Sequence, residues 1–138
     1  MRRFLVLALI LMAAPMGQAF ARLGDTEQQI AALYGNPVDN DKPDENGVIT
    51  NTYHKGDYLI LVQLLKGHSV AESYTRMDRA RFSEKELSTF LKASAAGQEW
   101  NKQSGKKLSW ERGDHRASAW CETLSGRPTL LIQARYHD

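Results

Sequence analysis

The spacing of apolar positions changes along the chain, and each change marks an element. Ile30, Leu33 and Tyr34 fall at i, i+3 and i+4, one narrow helical face. Thr26 ahead of them and Gln29 three residues on form a capping box, and Gly35 with Pro37 stops the helix near Tyr34. Val48–His54 is rich in β-branched and aromatic residues, and Tyr58–Leu65 is an apolar run. Ser69–Arg76 completes a set of three strands, separated by turns at Lys55-Gly56-Asp57 and Lys66-Gly67-His68.

The same order returns in the second half. Ser83 and Glu86 make a second capping box, with Phe82 placed to staple onto Leu87. Leu87, Phe90 and Leu91 repeat the helical spacing, Ala95 extends that face, and Gly97 is the expected stop. A polar connection carrying Trp100 leads to strands at Lys107–Arg112, His115–Thr123 and Thr129–Tyr136. In the last, Leu130, Ile132, Ala134 and Tyr136 alternate with Thr129, Leu131, Gln133 and Arg135, the pattern of one buried face.

Two separate stretches recur at one offset. Thr26–Ile30 and Ser83–Leu87 lie 57 positions apart, and so do Tyr53-His54-Lys55-Gly56-Asp57-Tyr58 and Trp110-Glu111-Arg112-Gly113-Asp114-His115. A shared offset predicts a duplicated unit. Gly67 and Gly126 correspond at 59, which predicts a two-residue change of length inside the repeat. The expected fold is α+β: a tandem αβββ repeat, about 22–79 and 80–138, forming a single domain with two helices packed on antiparallel sheet. Two arrangements satisfy it: both helices on one face of one sheet, or two units meeting across a pseudo-twofold.

The N-terminus follows a different pattern. Met1-Arg2-Arg3 precedes an apolar run from Phe4 to Ala14, then Pro15 and Gly17, then Ala19-Phe20-Ala21. A charged start, a short apolar core and small-x-small residues describe a secretory signal peptide, residues 1–21, with cleavage expected near Ala21. The apolar run is shorter than the ~20 residues of a membrane span. No cysteine follows it, so neither a membrane span nor a lipid anchor is expected. The destination is the periplasm or the exterior.

Charge changes the picture only slightly. Arg2 and Arg3 leave with the leader, so the 18 basic residues fall to match the 16 acidic ones. A neutral chain lacks the basic excess of a nucleic-acid binder, and no nucleic-acid partner is expected. Cys121 is the single cysteine, so stability must come from packing, and the thiol is expected to be buried.

Several residues invite chemistry. Asp39–Gly47 carries four carboxylates, but the EF-hand positions for Gly and the bidentate Glu hold Asp44 and Thr50, so a solvated loop is expected. Arg112-Gly113-Asp114 is the tripeptide of integrin ligands, yet Lys55-Gly56-Asp57 echoes it. A two-residue type II′ hairpin with Gly at positive φ explains both. Of the histidines His54, His68, His115 and His137, none has the spacing of a helical metal pair. His54, Asp57, Asp114 and His115 flank the two Gly-Asp turns, and a metal-dependent or hydrolytic site built from them is the alternative to surface histidines. His115 and Cys121 are too far apart along one strand to act as a nucleophile pair. Nothing calls for a cofactor, and no catalytic residue is assigned. Tyr53, Tyr58, Trp110 and Trp120, with Arg112 and Asp114, are the candidate binding residues, since Tyr, Trp and Arg dominate binding hot spots. Cross-strand packing is the competing role for the aromatic ones.

Arg22-Leu23-Gly24-Asp25-Thr26-Glu27-Gln28-Gln29-Ile30, continuing to Tyr34-Gly35-Asn36-Pro37, resembles the opening of small exported bacterial domains. These are the SmpA/OmlA outer-membrane accessory proteins and the β-lactamase inhibitory proteins; uncharacterised secreted bacterial proteins look closer still. Unit two keeps the capped helix but has Lys92 where Gly35 would correspond, and the chain lacks both the lipid-anchor cysteine and the disulfide pairs of those groups. The resemblance implies a non-enzymatic envelope module that binds another protein through its sheet and hairpin loops.

Overall fold

The computed structural model describes residues 20–135. The leader as far as Ala19, Tyr136 at the end of the expected last strand, and His137 lie outside the described residues.

Helix α1 spans Glu27–Tyr34 and helix α2 spans Glu84–Ala93. Both open with a complete capping box, Thr26 with Gln29 and Ser83 with Glu86, so each satisfies its first backbone donors locally. Gly35 ends α1 at φ 81°. Helix α2 stops short of Gly97 because tertiary bonds take over at Ser94. That residue's carbonyl accepts from Arg112 Nη1 at 3.0 Å, and its hydroxyl accepts from the Leu23 N–H at 3.2 Å.

Eight strands follow in chain order: β1 (Asp39–Asn40), β2 (Ile49–Lys55), β3 (Tyr58–Leu65), β4 (His68–Arg76), β5 (Trp100–Lys102), β6 (Ser109–Arg112), β7 (Ala117–Leu124) and β8 (Arg127–Ala134). Three strands were expected after each helix, and four are present. The additional ones, β1 and β5, are the edges of the sheet, two and three residues long and mostly exposed. Short edge strands carry no buried face, so no hydrophobic period marks them. All eight form one antiparallel sheet in the order β1-β2-β3-β4-β8-β7-β6-β5. Each helix is thus followed by a four-strand meander, and the last strands of the two meanders meet at the centre.

One face of the sheet is covered. Tyr53, Ile60, Tyr74, Leu130 and Cys121 lie in register across β2, β3, β4, β8 and β7. Helix residues Ile30, Tyr34, Leu87, Phe90 and Leu91 join that face in one apolar core. Both helices therefore lie on the same side of one sheet. Phe90 is the hub: its ring centroid is 4.3 Å from Tyr74, 4.7 Å from Phe20, 5.0 Å from Tyr58 and 5.6 Å from Phe82. Phe82 lies over Tyr58 as well, which draws the entry of α2 onto the sheet.

The two Gly-Asp turns differ. Lys55 pairs with Tyr58, so Gly56-Asp57 is a two-residue hairpin loop with Gly56 at φ 56°, as expected. Between Arg112 and Ala117 the loop has four residues, 113–116, and His115 rather than Gly113 takes the positive φ, 60°. The expectation of a two-residue type II′ turn at Gly113-Asp114 is thereby corrected. The two extra residues turn the corner through an Arg112–His115 turn, closed by the His115 N–H on the Arg112 carbonyl at 2.8 Å. They also account for the change of spacing from 57 to 59.

Candidate functional site

Among the described residues, no helix lies over the second face of the sheet. Thr52, Leu61, Ser73, Leu131, Trp120 and Ser109 form a row in register across six strands of this face. Beside it run Thr50, Gln63, Ala71, Gln133, Ser118 and Glu111. Strand alternation produces this surface: inward residues of β2, β3, β4, β7 and β8 make the core, and their neighbours must point outward.

What those neighbours are is the informative part. They are mostly hydroxyls and amides, with Glu111 at the β6 end, around an apolar strip of Leu61, Leu131 and Trp120. Trp120 is half-buried, and its indole N–H donates to Glu122 Oε2 at 2.8 Å. With its polar atom satisfied on its own strand, the ring can offer its apolar surface. Two adjoining hollows, about 830 Å³ and 280 Å³, share Trp120 and Gln133 in their walls. The larger runs toward Glu111 and Arg135, which pair at 3.3 Å; the smaller is floored by Leu61 and Leu131 and bordered by Leu124, 41% exposed.

The six candidate binding residues do not gather on this face. Tyr53 is 0% exposed and its hydroxyl accepts from Asn51 Nδ2 at 3.2 Å. Tyr58 packs among Phe20, Phe82 and Phe90 and donates its hydroxyl hydrogen to Glu86. Burial, then the bond to Glu86 and its charge, push the Tyr58 hydroxyl up to about 12. Trp110 is on the helix side, lining with Trp100 a hollow of about 570 Å³ between α2 and β5–β6. Arg112 holds Asp114 in a two-pronged pair, Nε to Oδ1 at 2.9 Å and Nη2 to Oδ2 at 3.0 Å. That pair holds the Asp114 carboxyl below its ordinary range, and it turns the Arg-Gly-Asp groups toward each other rather than outward. Of the six, Trp120 stands on the open face, and Trp110 also borders its larger hollow.

The alternative cluster is not assembled either. Five antiparallel pairings separate β2 from β6, so these strands run in opposite directions and their exit turns lie at opposite ends of the sheet. His54 and Asp57 are therefore at one end, Asp114 and His115 at the other. His54 Nε2 bonds the Gly56 carbonyl oxygen at 2.9 Å, and His115 Nδ1 lies 2.7 Å from Glu111 Oε1. Among the described residues, no three His, Cys, Asp or Glu come together as a metal site. Asp44 uses Oδ1 to accept from the N–H groups of Asn46 and Val48, shaping the acidic loop from within. Cys121 packs against the core from the covered face, and burial raises its thiol above the ordinary value.

A buried polar cluster escaped sequence reasoning. Glu72, 2% exposed, occupies an inward position of the central strand β4, opposite Ile132. Its Oε2 accepts from the Tyr74 hydroxyl at 2.5 Å, and its Oε1 has no hydrogen-bond partner among the described residues. Burial pushes its pKa up to about 8, the bond from Tyr74 works against the rise, and the Asp25 charge adds to it. Burial thus favours the neutral acid over the carboxylate at Glu72. The signal was legible: a carboxylate two residues before Tyr74, in the same alternation, on a strand that must be central.

No protein-family model matches the chain, and no curated protein matches it. Among solved structures it is similar to an extracellular protein containing a SCP domain from Bacillus anthracis str. Ames, with a TM-score of 0.49 and 9% identity over 86% of this chain and 47% of that one. It is also similar to a cysteine-rich secretory protein from Staphylococcus aureus subsp. aureus Mu50, with a TM-score of 0.48 and 8% identity over 86% of this chain and 48% of that one. The chain spans about half the length of the solved chains it matches. No helix among the described residues is long and apolar enough to cross a membrane.

Proposed function

We propose that this chain is an exported, non-enzymatic binding module of the bacterial periplasm or exterior, and that it holds a protein partner against the open face of its sheet. The observation that carries the reading is the row through Leu61, Leu131 and Trp120, which no described helix covers and which is flanked mostly by hydroxyls and amides. An aromatic anchor beside aliphatic side chains, rimmed by groups that can hydrogen-bond, is the make-up of a protein interface core. Leu61, Leu131 and Trp120 themselves carry no charge that a partner would have to desolvate.

Export rests on the N-terminal pattern of charge, apolar run and small residues. The equal spacing of two capped helices and two Gly-Asp turns, with a strand order that reads alike from either edge, supports an origin by duplication. The resemblance to envelope accessory and inhibitory proteins agrees with a binding role. The hydrolase alternative has no comparable support, because its four side chains occupy opposite ends of the sheet.

Capture from envelope extract tests the reading. Wild-type chain and Trp120→Ala are immobilised at equal density, and bound proteins are compared. Truncating a buried aromatic anchor costs at least about 2 kcal/mol, so the specific partner should fall roughly 30-fold on the variant. Equal recovery on both surfaces contradicts the proposed face.

A further inference from the structure

The folded domain begins before the position where the leader was expected to end. Phe20 packs its ring 4.7 Å from Phe90, 5.9 Å from Tyr58 and 6.0 Å from Tyr74, centroid to centroid. Ala21 is 0% exposed, and its N–H donates to the Tyr34 hydroxyl at 2.7 Å. The Ala21 carbonyl lies 3.5 Å from the Tyr74 hydroxyl, the same hydroxyl that donates to Glu72. The next residues continue the attachment: the Leu23 N–H donates to Ser94 Oγ at 3.2 Å and the Gly24 N–H to the Ser69 carbonyl at 2.9 Å. Residues 20–24 thus form an inserted strap between α2 and β4.

Removal of Phe20 and Ala21 would strip a ring from the Phe90 cluster and leave the Tyr34 hydroxyl, in a buried site, without its backbone donor. Large-to-small changes in a packed core and orphaned buried polar groups are both costly. The sequence offers a second small-x-small site two residues upstream, Gly17-Gln18-Ala19. We propose that the leader is cut after Ala19, not after Ala21, so that the exported chain starts with Phe20 as a core residue. The proposal rests on the reading of residues 1–19 as a cleaved leader.

The intact mass of protein recovered from the exported fraction of cells making the full chain decides it. A chain beginning at Phe20 is the expected result. A chain beginning at Arg22 overturns the proposal while leaving export intact, and an exported chain that still begins at Met1 removes the leader reading and the proposal together. Processing of two variants gives a readout independent of folding. Ala19→Leu should accumulate as unprocessed precursor, whereas Ala21→Leu should be cut as readily as wild type. The reverse pattern overturns the proposal.

Discussion

Tyr74 donates its hydroxyl hydrogen to Glu72 at 2.5 Å, two residues away on the same inward side of β4. This places an acid and a phenol together inside the core, and it makes stability depend on pH in an unusual direction. The folded pKa of Glu72, about 8, lies above its ordinary value of 4.5. Its contribution is therefore fully present below about pH 4.5 and is lost as the pH rises through about 8. Thermal melts should fall between pH 5 and pH 9 by an amount worth a few kcal/mol, and Glu72→Gln should flatten that slope. A wild-type profile that rises over this range would contradict the buried neutral acid.

Glu86 acts in the opposite sense. Burial opposes its ionisation, but the Ser83 N–H, the Tyr58 hydroxyl and Arg76 together hold its carboxyl below the ordinary value. Arg76 Nη1 is 2.8 Å from Glu86, which caps α2 at the same time. A lowered carboxylate stabilises above its unfolded pKa and loses that contribution as the pH falls through its folded pKa. Glu86→Gln should cost about 1–2 kcal/mol at neutral pH, by loss of the ion pair with the cap partly kept. Urea unfolding at pH 7 and pH 3 checks this, with the difference between the two chains shrinking at pH 3.

The aromatic hub sets the largest single packing effect. Phe90 is 1% exposed and contacts four rings. Phe90→Ala should destabilise the domain by about 3–5 kcal/mol, whereas Phe90→Leu should cost appreciably less. Equilibrium unfolding of the three chains gives both numbers.

The two Gly-Asp corners should respond differently to the same change. Gly56 is at φ 56°, where an L side chain adds roughly 1–2 kcal/mol of strain. Gly113 has no such φ, but an added Cβ would lie 3.2 Å from Gln98 Oε1 and 3.4 Å from the Glu99 carbonyl oxygen. Gly56→Ala should therefore be the more damaging, and Gly113→Ala should be mild if the Gln98 side chain swings away. Melting temperatures of the two variants rank them.

Periodicity disclosed most of the fold. The capping boxes, the i, i+3, i+4 faces and the central strands were readable because each has a buried side with its own period. Strand β3, Tyr58–Leu65, was legible to its ends. Strands β1 and β5 were not, since two or three exposed residues carry no pattern. The candidate site was less legible. Tyr53 and Trp120 look alike in sequence as strand aromatics. Only the cross-strand register places Tyr53 under α1, its ring 5.5 Å from Tyr34, and Trp120 on the open side. The pairing of Arg112 with Asp114 likewise follows from a loop two residues longer than the repeat suggested.

The proposed partner-binding face is tested most directly by site-specific photocross-linking in cells exporting the chain. A photoreactive residue is placed in turn at Gln63, Ser118 and Gln133 on the open face, and at Gln28, Lys85 and Ser88 on the exposed sides of the helices. Adducts to one discrete protein from the first three positions, and none from the second three, are the predicted result. Adducts confined to the helix positions, or none from either set, would contradict it.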